Sequence, residues 1–233
     1  MARRRGRDGA GQNGRVRTTD GPGWSLIVPL KPLRLAKSRL ADVAGDAARP
    51  SLALAFAEDT VAAALACASV REVVVVTDDP LAGGRLARAG ARVVPDAPGL
   101  GLNAALAHGA AAVRAALPDA AVAALNADLP ALRSAELLRV LRAASEQARS
   151  FLADAAGVGT TLLAATGGAE LAPAFGGASR ARHLASGAAE LLLDGVPGVR
   201  RDVDTAADLR AALALGVGPR TAAGVRRLTA FAA

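Results

Sequence analysis

The sequence has one cysteine, Cys67, two histidines and no tyrosine, and aromatic residues make up only 2% of its 233 residues. A single cysteine excludes an internal disulfide bond. A structural zinc site needs four cysteine or histidine ligands, and these three residues cannot supply them. Because aromatics are so scarce, the core must be aliphatic, mainly alanine, leucine and valine. Any metal would have to bind carboxylates, which favour a hard cation such as Mg²⁺.

Acidic residues are fewer than basic ones, and the formal net charge is +7. Residues 1–23 contain six arginines and two aspartates, a balance of +4, which leaves +3 for the rest of the chain. A charge of that size is ordinary for a domain in solution, so we do not expect nucleic acid as the main partner. This arm has almost no apolar residues whose burial would offset the entropy of ordering, and we predict that it is disordered. The alternative is a nucleic-acid-binding protein that uses the Arg-rich arm.

Long apolar runs are also absent. The sequence has neither the apolar run of a signal peptide nor an uninterrupted stretch long enough to span a membrane. We therefore expect a cytoplasmic protein with no membrane partner.

Short β-type runs alternate with longer stretches rich in alanine and leucine. The predicted strands are 25–30, 71–79, 91–96, 121–130, 150–154, 160–165 and 198–204. The predicted helices are 51–67, the first of them capped at Pro50-Ser51, and 80–89, 102–117, 133–148, 178–191 and 204–215. Apolar strands separated by helices of this length indicate a mostly parallel α/β sheet covered by helices on both faces. We expect one domain over 24–220 and a C-terminal tail over 221–233.

Basic residues follow the first predicted strand, at the end of the sheet where open α/β folds bind ligands. Lys31, Arg34, Lys37 and Arg39 fall within one proline-containing turn and the start of a helix. Four cations in this place can neutralise and orient a triphosphate. The alternative interpretation is a solvated basic turn on the surface.

Acidic residues end two other predicted strands. Asp128 lies in "LNADLP", and Asp202 and Asp204 lie in "RRDVDT". One or two carboxylates at such a point can hold Mg²⁺ against phosphate oxygens. Asp128 and Asp204 could instead only cap the helices that follow them. With no histidine nearby in sequence, three carboxylates indicate magnesium rather than zinc or iron.

Three glycine-containing regions are further candidates. Glycines and hydroxyls at 157–161 and 176–179 could offer hydrogen-bond donors to a small anion, or could form ordinary turns. In "PGLGLNAAL", Gly101 permits a turn and Asn103 has an amide suited to a base or ribose, or to a helix cap. We interpret His183 and His108, both within predicted helices, as packing or surface residues.

The motifs "VPLKPLRLAKSRL", "PGLGLNAAL", "ADLPAL", "GTTLLAA", "FGGASRARH" and "DVDTAADL" resemble, in this order, those of the guanylyltransferases of coenzyme F-420 biosynthesis. That family includes 2-phospho-L-lactate guanylyltransferases and bacterial phosphoenolpyruvate guanylyltransferases. The resemblance covers about residues 24–220. It implies a Rossmann-like GT-A nucleotidyltransferase fold with GTP on the first half of the sheet.

The resemblance also implies roles for particular residues. Thr161, Gly176 and Ser179 match residues that bind phosphoenolpyruvate, and the metal-binding acids match Asp128, Asp202 and Asp204. On the nucleotide side, the position of the cations makes Lys37 and Arg39 the candidate catalytic residues. The expected nucleotide-binding residues are Lys31, Lys37, Gly101 and Asn103.

This combination fits nucleotidyl transfer to a phosphate. A phosphate monoester has a second pKa near 6, so it is already an anionic nucleophile at neutral pH. The reaction then needs Mg²⁺ and cations to shield charge, rather than a general base. We therefore expect transfer of GMP from GTP to phosphoenolpyruvate, giving enolpyruvyl-diphospho-5'-guanosine and pyrophosphate, with the transferase that consumes the product as a further partner. The alternative acceptor is 2-phospho-L-lactate or another phosphorylated three-carbon acid, and a non-catalytic partner protein is a further alternative.

Overall fold

The computed structural model describes residues 23–35, 40–97 and 99–231. The expected arm lies outside these residues except for Gly23. The described strands are β1 Trp24–Pro29, β2 Val70–Val76, β3 Arg92–Val94, β4 Val122–Leu125, β5 Arg149–Ala153, β6 Thr160–Ala165 and β7 Ala189–Glu190. The described helices are α1 Ala41–Leu65, α2 Pro80–Arg88, α3 Leu102–Arg114, α4 Ser134–Ala144, α5 Ser179–Ala185, α6 Pro197–Arg200, α7 Ala206–Leu215 and α8 Pro219–Phe231, with a 3-10 turn at Leu33–Leu35.

The strands form one mixed sheet in the order β3-β2-β1-β4-β6-β5-β7. Strand β1 pairs in parallel with β2 and β4, and β2 pairs in parallel with β3. Strand β6 is antiparallel to both β4 and β5, and the short β7 runs parallel to β5. The predicted α/β class and the mostly parallel sheet are confirmed. The carboxyl ends of β1 to β4 meet at one edge, where such sheets bind ligands.

Alternate residues of the strands pack on opposite faces of the sheet, as the period of two requires. Leu26 and Val28 of β1 contact one core cluster, to which α1 and α4 contribute. Ile27 contacts the other cluster, to which α3 contributes. Helix α3 lies so close to the sheet that a Cβ atom on Gly109 would come within 2.6 Å of Ile27. Gly109 therefore sets the position of α3, whose first turn borders the candidate site.

Two sequence predictions at the helix and strand boundaries are wrong. The predicted strand 198–204 contains the end of α6 instead, because Pro197 begins a helix and the Gly198 N–H donates to Glu136 (2.7 Å) rather than to a strand. The seventh strand is β7, which the prediction placed inside a helix over 178–191. That helix ends at Ala185, and Gly187 follows with a φ of +80°, the left-handed conformation that commonly terminates helices.

Helix α1 begins at Ala41, ten residues before the predicted start, and continues through Pro50. An internal proline removes one helical hydrogen bond, which is why the sequence indicated a boundary there. The buried side chains of Leu40, Leu52 and Phe56 belong to one cluster with residues of α7, so packing maintains the helix across the proline.

Helix α8 crosses residue 220, the expected end of the domain. Its first turn is fixed to α1 by Asp59, whose carboxylate accepts hydrogen bonds from the backbone N–H groups of Arg220 (3.1 Å) and Thr221 (2.7 Å). Over the described residues, every helix is too short or too polar to cross a membrane.

Candidate active site

A cleft of about 630 Å³ opens beyond the carboxyl ends of β1 and β4. It brings together residues that are up to 175 positions apart, from Pro29 to Asp204. The polar and glycine residues that line it are Lys31, Asn126, Asp128, Asp154, Gly159, Thr160, Gly176, Gly177, Ser179, Asp202 and Asp204. Six residues predicted for the site are therefore on one surface: Lys31, Asp128, Gly176, Ser179, Asp202 and Asp204.

The acids meet because two distant loops are joined through their backbones. The Val203 N–H donates to the Asp128 carbonyl oxygen (3.1 Å), which ties the segment before α7 to the end of β4. The next residue, Leu129, donates its N–H to the Thr60 hydroxyl of α1 (3.0 Å). This geometry holds Asp128, Asp202 and Asp204 at the same end of the cleft.

A fourth carboxylate, Asp154, completes what we call the acid cluster: Asp128, Asp154, Asp202 and Asp204. Asp154 follows β5, and its carboxylate accepts hydrogen bonds from the N–H groups of Val158 (2.9 Å) and Gly159 (2.8 Å). It therefore orders the turn that leads into β6 and also adds negative charge to the cleft. Asp154 is not among the predicted site residues, although it too ends a predicted strand, the signal that singled out Asp128.

The surroundings of Asp202 in the acid cluster change its protonation. Burial, and after it the negative charges of Asp128, Asp204 and Asp154, raise the pKa of Asp202 from 3.8 to about 7. A carboxyl group with that pKa is only partly ionised at neutral pH. A cation bound nearby would favour its charged form.

The donor set fits a hard divalent cation that is shared with a substrate. No three of the described carboxylate, histidine or cysteine side chains are arranged to hold a metal ion by themselves. Magnesium in nucleotide sites usually needs only one or two carboxylates, because phosphate oxygens and water supply its other ligands. The acid cluster offers carboxylates of that kind, with no sulfur or imidazole ligand among the described cleft residues.

Lys31 lies in the turn after β1, the strand that pairs with β4, and lines the cleft. Asp79 holds this turn, because its carboxylate accepts a hydrogen bond from the Leu33 N–H (2.8 Å) and also caps α2 through Leu81 and Ala82. Burial opposes the charge of Asp79, but these backbone N–H groups hold its pKa below the usual value. The predicted catalytic residues Lys37 and Arg39 lie outside the described residues.

Residues 174–179, which we call the glycine segment, form another part of the wall. Gly176 and Gly177 have φ values of +101° and +44°, so the backbone conformation, rather than a lack of space, requires glycine. Arg182 donates hydrogen bonds to the carbonyl oxygens of Ala174 (3.0 Å) and Gly176 and so braces the segment. Ser179, at the end of the segment, has only 2% of its surface exposed and lines the cleft.

Three other predicted residues do not line the cleft. Asn103 uses its side-chain amide on the backbone of Phe175, accepting from its N–H (2.8 Å) and donating to its carbonyl oxygen (3.2 Å). Gly101, with a φ of +93°, precedes α3. Thr161 is fully buried in β6, whereas its neighbour Thr160 lines the cleft.

Residues 55–196 match the model of the MobA-like NTP transferase domain family. The chain is 71% identical to a phosphoenolpyruvate guanylyltransferase of Streptomyces avermitilis over 205 residues, which cover 88% of this chain and 95% of that protein. It is 69% identical to the phosphoenolpyruvate guanylyltransferase of Streptomyces coelicolor, over 88% of this chain and 97% of that protein. The chain belongs to the phosphoenolpyruvate guanylyltransferase family. It is a nucleotidyltransferase, as the six sequence motifs predicted, and it has a MobA-like domain.

A solved structure supports the fold of this nucleotidyltransferase independently. The chain matches a nucleotidyl transferase from Methanothermobacter thermautotrophicus with a TM-score of 0.57 and 24% identity, over 84% of this chain and 98% of the other. At that identity the likeness shows the fold alone. It agrees with the predicted GT-A arrangement of sheet and helices.

Proposed function

We propose that this nucleotidyltransferase transfers GMP from GTP to phosphoenolpyruvate, a step in coenzyme F-420 biosynthesis that takes place in the cytoplasm. The observation that carries the proposal is that the acid cluster and the glycine segment line the same cleft. The acid cluster offers carboxylates for a nucleotide-bound cation, and the glycine segment offers hydrogen-bond donors for a small phosphorylated acid. The names of the relatives support guanosine as the nucleoside and phosphoenolpyruvate as the acceptor.

In the proposed reaction, a phosphate oxygen of phosphoenolpyruvate attacks the α-phosphorus of GTP. A P–O bond forms, the bond between the α-phosphorus and the bridging oxygen breaks, and pyrophosphate leaves with that electron pair. The acceptor phosphate is mostly ionised at neutral pH, so no protein group has to remove a proton. This agrees with the absence of histidine and cysteine among the described residues that line the cleft.

The chain's own groups would orient the two anions. One or two of Asp128, Asp202 and Asp204 would hold Mg²⁺ together with substrate phosphate oxygens, and when bound the cation shields the negative charges of the two substrates. Lys31 reaches the same cleft from the turn after β1 and would contact the triphosphate. Lys37 and Arg39 remain predicted contacts to the same group, and Gly101 and Asn103 remain predicted for the nucleoside.

The acceptor would bind at the glycine segment. Gly176 has no side chain to block approach to its backbone, and Ser179 places a small hydroxyl side chain at the wall of the cleft. Thr161 remains a predicted acceptor residue from the family resemblance, although the described threonine in the cleft is Thr160. The product would pass to the transferase that consumes it.

The direct test is to incubate the purified protein with GTP, Mg²⁺ and phosphoenolpyruvate and to measure pyrophosphate and the mass of the product. We expect both products with phosphoenolpyruvate and little turnover with 2-phospho-L-lactate. If 2-phospho-L-lactate is turned over instead, it replaces phosphoenolpyruvate as the proposed acceptor. No turnover with either acceptor would refute the proposed function.

Asp128→Asn tests the metal assignment. We expect turnover to fall by roughly a hundredfold, because a neutral amide binds a divalent cation poorly. Asp194→Asn is the matched control, since Asp194 is an exposed aspartate whose described contact is through its backbone carbonyl to Arg139. Equal activity in the two variants would contradict the role given to Asp128.

A further inference from the structure

His183 was interpreted from the sequence as a packing or surface residue, and the structure gives it two specific hydrogen bonds. Its ring is fully buried in α5, with the rings of Phe151 and Phe175 at centroid distances of 5.6 Å and 5.2 Å. The Ala174 N–H donates to Nε2 (3.1 Å), and Nδ1 lies 2.9 Å from the Thr160 hydroxyl oxygen. His183 therefore connects the glycine segment to the first residue of β6.

These contacts fix which ring nitrogen carries the proton. A nitrogen that accepts from a backbone N–H must present its lone pair, so Nε2 is unprotonated. Neutral imidazole then carries its hydrogen on Nδ1, which donates to Thr160. Burial, and after it the charges of Arg149 and Arg182, lower the pKa of His183 to about 4, in agreement with a neutral ring at pH 7.

The tautomer in turn determines the direction of the Thr160 hydroxyl. An oxygen that accepts from Nδ1–H still has its own hydrogen to donate. Among the described residues, His183 is the one hydrogen-bond partner found for this hydroxyl, and Thr160 lines the cleft. We propose that His183 is a positioning residue, which holds the Thr160 oxygen through Nδ1–H so that the hydroxyl donates its hydrogen to an oxygen of the acceptor substrate. The identity of that acceptor rests on the proposed function, whereas the tautomer does not.

The tautomer can be measured directly by long-range ¹⁵N–¹H NMR of the imidazole rings. The chain has only two histidines, and His108→Gln removes the other set of signals. We expect His183 to show a protonated Nδ1 and an unprotonated Nε2 from pH 6 to pH 8. A protonated Nε2, or a doubly protonated ring at pH 7, would overturn the proposal whatever the enzyme's substrate is.

Kinetics test the link to the acceptor. We expect Thr160→Val to raise the KM for phosphoenolpyruvate about tenfold or more, the usual loss for a hydrogen bond to a charged group, with the KM for GTP unchanged. Thr160→Ser should restore the KM, because it keeps the hydroxyl. Thr166→Val is the matched control, since Thr166 follows the far end of β6 and, within the described part of the chain, its hydroxyl donates only to the carbonyls of Gln147 and Ala148.

A double-mutant cycle shows whether His183 acts through Thr160. His183→Phe keeps a ring but loses both hydrogen bonds, and we expect the same rise in the acceptor KM, with no further rise when it is combined with Thr160→Val. His183→Asn, whose amide N–H can take the place of Nδ1–H, should partly rescue it. Additive effects, or an acceptor KM that neither Thr160→Val nor His183→Phe changes, would refute the positioning role.

The result also separates this inference from the proposed function. If the wild-type protein turns over 2-phospho-L-lactate instead, the choice of acceptor fails, and the same KM measurements on that acceptor decide the role of His183. If His183→Phe does not fold, Thr160→Val and the NMR measurement decide it.

Discussion

Asp202→Asn should make the protein more stable at alkaline pH in the absence of metal. In the folded protein the burial of Asp202, and after it the negative charges of Asp128, Asp204 and Asp154, raise its pKa from 3.8 to about 7. In the unfolded chain the same group ionises near its ordinary pKa. The raised pKa means that the ionised form of Asp202 destabilises the folded protein. Asparagine has nearly the same shape but cannot ionise, so the variant avoids this cost.

The sign and size follow from linkage between protonation and folding. Stability from the protonated Asp202 is fully present below about pH 4, and it is lost as the pH rises through 7. A shift of about three pKa units corresponds to about 4 kcal/mol in total, at 1.36 kcal/mol per unit. About 3 kcal/mol of this falls between pH 5 and pH 8, because the unfolded group is already ionised at pH 5. These values are upper limits, since the side chain keeps some contact with water.

Urea unfolding with EDTA measures the effect. We expect the free energy of unfolding of Asp202→Asn, relative to that of the wild type, to increase by about 3 kcal/mol from pH 5 to pH 8. Added Mg²⁺ should stabilise the wild type at pH 8 and have much less effect on the variant, because the cation relieves the repulsion that the variant lacks. Parallel pH profiles for the two proteins would show that Asp202 ionises normally and that the acid cluster is not strongly coupled.

Three further predictions concern the surroundings of the cleft. Gly109→Ala should lower stability by about 1–3 kcal/mol in thermal unfolding, because its methyl group would collide with Ile27, whereas Gly84→Ala, whose nearest neighbour is an Arg88 atom at 3.7 Å, should not. Asp79→Ala should raise the KM for GTP more than that for phosphoenolpyruvate, since it releases the turn after β1, and should cost about 1 kcal/mol as a lost helix cap. Removal of residues 1–22 should leave GTP turnover unchanged; steeply salt-dependent RNA or DNA binding that disappears with the arm would instead support the nucleic-acid alternative.

The sheet and the location of the cleft could be predicted because the signals are local. Apolar strands ended in polar residues, and parallel strands place those ends on one edge. Asp128, Asp202 and Asp204 could therefore be grouped before the structure was known, although the segment that carries the last two is not a strand. The sequence pattern of 198–204 also fits a strand, and the long-range contacts of Gly198, which packs closely against the Ala131 carbonyl and donates its N–H to Glu136, show why the segment is packed differently.

Contacts that depend on register could not be predicted. The pairing of β5 with β6 shifts between Leu152 and Ala153, so that Ala153 lies opposite Thr160 and Leu152 opposite Leu162. At this shift Thr160 lines the cleft, whereas Thr161 is buried within the sheet. Nothing in the letters "GTTLLAA" shows which of the two threonines faces the cleft. Asn103 is a similar case, because its partner Phe175 is 72 residues away and no local pattern indicates that contact.

The two halves of the cleft each require a deprotonated group, an ionised carboxylate in one and a neutral imidazole in the other, and the pKa values of these two groups are far enough apart to separate their effects. The acid cluster must be ionised to hold a cation, and the pKa of Asp202 is about 7. His183 must remain neutral to orient Thr160, and its pKa is about 4. As the pH falls, the affinity for the metal should therefore decline first, near neutrality, whereas protonation of His183 should raise the acceptor KM only near pH 4, below the pKa near 6 of the acceptor phosphate itself. Because excess Mg²⁺ favours the ionised carboxylate, it should shift the loss of metal affinity to lower pH. It should leave the pH at which His183 affects the acceptor KM unchanged.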